Sequence, residues 1–185
     1  MKIRLVLTSL LVAFCGCASS PDLDYFNVEM TSSGTVGVDV HLVVERFSPT
    51  ERLDRHQIVI QQTPTRVEYY ATARWATSVG EMVQGKLQAE FGFPRSDDRP
   101  TFVVSGRVLA FEQVDAGSSA QGRVVLEVAI RAAGQQRYET PLLTRTYEAT
   151  RPLDEASADG AVRALSRALE DIAADIAEDV PAVKP

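Results

Sequence analysis

Apolar and polar residues alternate with a period of two through Val38, Val40, Leu42 and Val44, with Asp39, His41 and Glu45 out of phase. This spacing predicts a long, half-buried strand over Val36–Phe47. Tyr25-Phe26-Asn27-Val28 predicts a shorter strand before it. After the polar stretch Ser48–Arg55, broken by Pro49, the runs Gln57–Gln62 and Arg66–Ala73 read as a hairpin across Thr63-Pro64-Thr65. The period then changes. Val79, Met82, Val83, Leu87 and Phe91 fall on one helical face, Ser78 and Glu81 have the spacing of a capping box, and Gly92 supplies the stop. Three long strands follow, Thr101–Val114, Gly122–Ala132 and Tyr138–Thr150, separated by turn-rich segments. In the middle one Val124, Leu126, Val128 and Ile130 face one way, and Arg123, Glu127 and Arg131 the other. A last helix, from about Asp154 to Asp179, carries the stripe Val162, Leu165, Leu169, Ile172, Ile176 and Val180, and Pro181 ends it. The expected fold class is α+β: a mostly antiparallel sheet with two amphipathic helices packed on one face, in a single domain.

The first residues stand outside that domain. Lys2 and Arg4 precede the mostly apolar run Leu5–Phe14, the pattern of a secretory signal peptide. As a helix this run is about 15 Å long at ~1.5 Å per residue, against about 30 Å of bilayer hydrocarbon, so it does not span. The cleavage region around Gly16-Cys17 resembles the bacterial lipobox, with the small residue Gly16 before the cysteine. The predicted organisation is a signal peptide over 1–16, a lipidated Cys17 and short tether over 17–24, and the domain over 25–181. Several acyl chains on Cys17 would make attachment effectively permanent, since a single chain binds only marginally. From Ala18 to Asp24 the tether extends at most ~23 Å at ~3.3 Å per residue, which keeps the domain close to the bilayer. Ala18-Ser19-Ser20 after the cysteine points to the periplasmic face of the outer membrane, because Asp in the first of these positions favours inner-membrane retention.

Composition adds exclusions. A formal net charge of −6 argues against a nucleic-acid partner or a polybasic membrane surface. Two isolated histidines, His41 and His56, and no cysteine cluster argue against a zinc site, and His41 is expected at a surface or partly packed. No nucleophile elbow, phosphate-cradling glycine loop or metalloprotease pair occurs. Asp97-Asp98 between Arg95 and Arg99 reads as a solvated loop. The expectation is no enzyme and no cofactor beyond the acyl chains. Glu170, Asp171, Asp175, Glu178 and Asp179 crowd the C-terminal half of the last helix, where the macrodipole favours cations. They form either a solvated outer face or an acidic surface for a basic partner. Trp75 is read as core at a strand–helix junction, or else as an interface anchor beside Arg74.

Leu53-Asp54-Arg55-His56-Gln57-Ile58-Val59, Arg66-Val67-Glu68, Arg74-Trp75 and the helix to Gly92 resemble the ABC-type transport auxiliary lipoprotein family. The match extends to the lipobox, Ala18-Ser19-Ser20-Pro21 and Tyr25-Phe26. The resemblance implies a non-enzymatic accessory that docks an MCE-domain protein and its ABC transporter in an intermembrane lipid transport system. It also implies a capacity for homo-oligomers. Arg55, Gln57, Arg74 and Trp75 are the candidate partner interface. Two other classes remain open: a lipoprotein regulator of a cell-wall synthase, and an envelope hydrolase.

Overall fold

The computed structural model describes residues 21–34, 39–93, 98–117 and 119–180. Cys17 and the cleavage region lie outside them, as do Val36, Val38, Arg95, Asp97 and Pro181.

The long strand β6 (Thr101–Ala116) is the spine of one sheet. On one side it starts an antiparallel meander with β7 (Ser119–Ala132) and β8 (Leu143–Pro152). Along its other side lie three strands in succession, all parallel to it: β2 (His41–Val44), β3 (Ser48–Pro49) and β4 (Gln57–Thr63). β4 forms the expected hairpin with β5 (Arg66–Trp75), and β1 (Asp24–Phe26) runs parallel to the end of β5. The long ladders are thus antiparallel and the short ones parallel. Helix α1 (Val79–Phe91) makes the crossover between β5 and β6, and α2 (Ala158–Asp179) closes the chain.

Both helices lie on the same face of the sheet and touch each other, α1 over β2 and β3, α2 over β7 and β8. The core between the layers includes Phe47, Trp75, Leu87, Phe111, Leu126, Ile130, Leu165 and Leu169, all essentially inaccessible. α2 comes down onto β7 so closely that a Cβ on Gly122 would lie 2.9 Å from Ala164 Cβ and from Leu165 N. Ala161, Ala164 and Ala168 on the helix are the matching small residues, all buried. Ser78 caps α1 reciprocally with Glu81, as expected, and Gly92 at φ 75° ends it.

Several boundaries differ from expectation. The strand expected over Val36–Phe47 forms, among the described residues, only over His41–Val44. Ser48–Arg55 is not simply a connection: it contributes β3 and a 3-10 turn, Glu51–Leu53, whose Leu53 is buried. β8 begins at Leu143 rather than Tyr138, because Pro141 offers no N–H to the ladder and Tyr138–Leu142 turn instead. α2 begins after Ser157, whose hydroxyl accepts from Gly160 N at 3.0 Å, so its first turn starts later than Asp154.

Candidate functional site

The four candidate interface residues sit at the start of β4 and the end of β5, but they do not share one exposed surface. Gln57 faces Arg74 across the ladder, and the next pair is Val59 with Tyr69. Four residues of β5, Tyr70–Ala73, therefore stand opposite Ile58 alone, a bulge larger than the usual two against one. The Arg74 guanidinium fills it, donating to the carbonyls of Tyr70, Ala71 and Ala73 at 3.0, 2.9 and 2.9 Å. Trp75 is 1% exposed and packs on Phe111 with ring centroids 5.4 Å apart. Its backbone N–H donates to His56 O at 2.6 Å, and His56 Nδ1 lies 3.2 Å from Trp75 O. Trp75 is thus a core residue, corrected out of the interface, and Arg74 holds a strand bend. Arg55 is exposed, its guanidinium 5.5 Å from the Tyr69 ring, and Gln57 is half-buried. His41 is also a correction: it is buried rather than at a surface.

A second set of polar groups binds the N-terminal segment to the helices. After β1 the chain crosses both of them, with Val28 in the core and Glu29 N donating to Ser166 Oγ at 3.0 Å. Lys86, on α1 and fully buried, donates from Nζ to Thr31 O at 2.7 Å, and lies 2.8 Å from both Glu90 and Glu170. Glu90 in turn accepts from Ser33 N at 3.0 Å and from Ser33 Oγ at 2.7 Å. Burial pulls the Lys86 pKa down, but hydrogen bonds to Glu170 and Glu90 outweigh it and leave the pKa raised. Burial likewise pulls Glu90 up, and its bonds to Lys86 and Ser33 leave it lowered. Both groups are held charged. The segment from 27 to 33 is a strap fastened across two helices.

The acidic half of α2 has internal partners. Glu170 meets Lys86, Asp171 meets Arg151, and Asp179 takes Arg145 at 2.7 Å and the Tyr147 hydroxyl at 2.6 Å. Burial and the neighbouring Asp179 push the Tyr147 hydroxyl well above its ordinary pKa. These carboxylates clamp α2 to β8 and α1. Of the five acids only Asp175 and Glu178 are exposed, so neither a wholly solvated outer face nor a continuous acidic surface is formed.

The helix-free face of the sheet carries the remaining charges. Glu112 is fully buried there, with Arg52 at 2.8 Å and Arg123 at 3.5 Å, neither aligned for a full hydrogen bond. Burial pushes its pKa up despite both arginines. Further along this face a groove of about 960 Å³ lies between β2–β3 and β6–β7, lined by Glu45, Arg46, Ser105, Arg107, Arg131 and Arg137 among others. Lys86 and Glu90 were legible in principle, as charges at the apolar-stripe positions of α1. Glu112 left no such trace in its strand.

Among the described residues no group of three His, Cys, Asp or Glu side chains is placed to hold a metal ion, and no helix is long and apolar enough to cross a membrane. Fold and side chains together define a small α+β module whose N-terminal segment is built into its body. The chain belongs to the family of ABC-type transport auxiliary lipoprotein components, whose model matches residues 27–177. Two crystal structures share the fold. A Xanthomonas campestris protein of the DUF330 family superposes with a TM-score of 0.65 at 18% identity, over 84% of this chain and 92% of that one. An uncharacterized protein superposes with a TM-score of 0.62 at 15% identity, over 86% of this chain and 99% of the other. No curated protein matches the chain.

Proposed function

We propose that this protein is a non-enzymatic docking lipoprotein, anchored through acyl chains on Cys17 to the periplasmic face of the outer membrane. Its partners in this reading are an MCE-domain protein and the associated ABC transporter of an intermembrane lipid transport system. Membership of a transport auxiliary family supports the transport setting. The observation that carries the docking role is the strap. Residues 27 to 33 are fastened to α1 and α2 through Lys86, Glu90 and Ser166, which supports a reading in which the tether from Cys17 is short because this segment adds no slack to it. A domain held in that way suits receiving a partner at the membrane rather than reaching across the periplasm.

In-cell photo-crosslinking tests this reading. A photoreactive residue replaces Arg55, which is exposed, in the full chain expressed at its native level. The expected result is capture of an MCE-domain or ABC component. Capture of a cell-wall synthase instead, or of no transport component from this and other exposed positions, would overturn it.

A further inference from the structure

The groove on the helix-free face has a small floor and basic walls. β6 and β7 pair Val103 with Arg131, Ser105 with Ala129, and Arg107 with Glu127. Ser105 and Ala129 are thus a facing pair of short side chains, and Arg131 and Arg107 flank them from opposite directions along the sheet. The two arginines are four residues apart in register, about 13 Å at ~3.3 Å per residue. Arg131 leans inward, with Nη1 donating to Ser105 Oγ at 3.2 Å. Its Nε is buried and has no hydrogen-bond partner among the described residues, an expensive state for a charged donor. Arg107 is exposed and makes no ion pair with any described residue.

The other charges at the groove are mostly committed. Arg137 is 3.0 Å from Glu45, and Arg46 is 3.4 Å from Glu81 and donates to Ser78 Oγ at 3.0 Å. Asp54 lies at the rim as the remaining acid. Glu127 faces Arg107 across the ladder, but among the described residues neither Arg107 nor Arg131 has a carboxylate within ion-pair distance, on a protein of net charge −6.

We infer that this groove binds a phosphate-type anion between Arg131 and Arg107. A tetrahedral oxyanion presents acceptors in several directions, so guanidinium groups from opposite walls can each take one, with Ser105 Oγ beneath. A planar carboxylate suits a single bidentate arginine better. The groove is larger than an inorganic phosphate, so the anion's source is either a phospholipid headgroup or free phosphate. The inference stands on these residues and does not depend on the docking role.

Calorimetric titration of the full chain in a neutral maltoside detergent tests it, with inorganic phosphate and dihexanoyl phosphatidylglycerol as separate probes. Saturable binding of at least one probe is expected. Arg131→Gln and Arg107→Gln should each weaken it about tenfold or more, the scale of one charge-assisted hydrogen bond. Arg163→Gln, exposed on α2, should leave it unchanged. Comparable phosphate and lipid affinities identify free phosphate as sufficient; tenfold or greater preference for the lipid identifies a headgroup site. Arg107 is exposed, so its variant retains the fold even where Arg131→Gln proves unstable. Failure of both probes to bind at millimolar concentration, or undiminished binding in Arg107→Gln, overturns the inference.

Discussion

Taking the Lys86 ammonium out of water costs several kcal/mol, and three oxygens offset that cost: Thr31 O, Glu90 and Glu170. Removing the lysine therefore harms more than one contact, because Glu90 stays buried with only serine donors. Lys86→Met is expected to lower unfolding free energy by about 3 kcal/mol at pH 7.5, measured by urea denaturation. The pH dependence has a definite sign. In the native chain Glu90 has a lowered folded pKa, so its stabilisation is present above the unfolded carboxyl value and lost as pH falls through the folded one. Lys86 has a raised folded pKa, so its contribution is present below 10.5 and lost only as pH rises beyond that. In the methionine variant, burial acts on Glu90 without the ammonium, and acid relieves the variant instead of harming it. The gap between the two proteins should narrow between pH 7.5 and pH 4. A gap that stays constant or widens would mean Glu90 is not stranded. At this scale the sequence was only partly readable. Charges on an apolar stripe mark burial, but Thr31 and Glu170 come from distant segments, and no period connects them to Lys86.

α2 shows how an element's polar face can look like a binding surface and serve instead as a fastening. Its acids oppose the helix dipole, yet Arg145 and Arg151 of β8 and Lys86 of α1 sit across from them. Asp179 is the residue that matters most, because the Tyr147 hydroxyl it accepts is buried. Asp179→Ala is expected to cost about 1–3 kcal/mol through that unsatisfied hydroxyl. Asp175→Asn, on the exposed side, should stay within about 0.5 kcal/mol. In thermal melts 1 kcal/mol corresponds to about 2–4 °C for a chain of this size. Equal losses in the two variants would refute the clamp. Most elements were legible in their apolar spacing, the hairpin, the meander and both helices among them, but the alternation around Val40, Leu42 and Val44 overstated a strand that spans only His41–Val44. The short parallel pairings of β1, β2 and β3 were not legible. Two to four residues carry too little pattern to choose a neighbour: β1 finds the end of β5, and β2 and β3 lie along β6, which comes later in the chain than either.

At the scale of the whole molecule, the fold class followed from local patterning because each helix and strand has one face that must be covered, and one sheet with helices on a single side covers them all. The candidate site did not follow. Arg74 and Trp75 belong to a recognisable motif, but a motif records constraint of any origin, and here the constraint is a strand bulge and a core contact. What the whole chain adds is the relation of body to membrane. If docking depends on a short tether, lengthening it should impair function without touching stability. An insertion of 20 Gly/Ser residues after Ser20 adds a flexible coil of about 25 Å root-mean-square length, at ~5–6 Å × √n. It enters ahead of the strap, so the contacts of Lys86, Glu90 and Ser166 are untouched and the melting temperature should not change. The partner crosslink at position 55 should fall several-fold in the same cells, while acylation of Cys17 persists. A rigid insertion of equal length, made from helix-forming residues, should reduce it further by holding the body away from the bilayer. Undiminished crosslinking with both insertions would show that the partner is met away from the membrane and that the short tether does not position the domain for it.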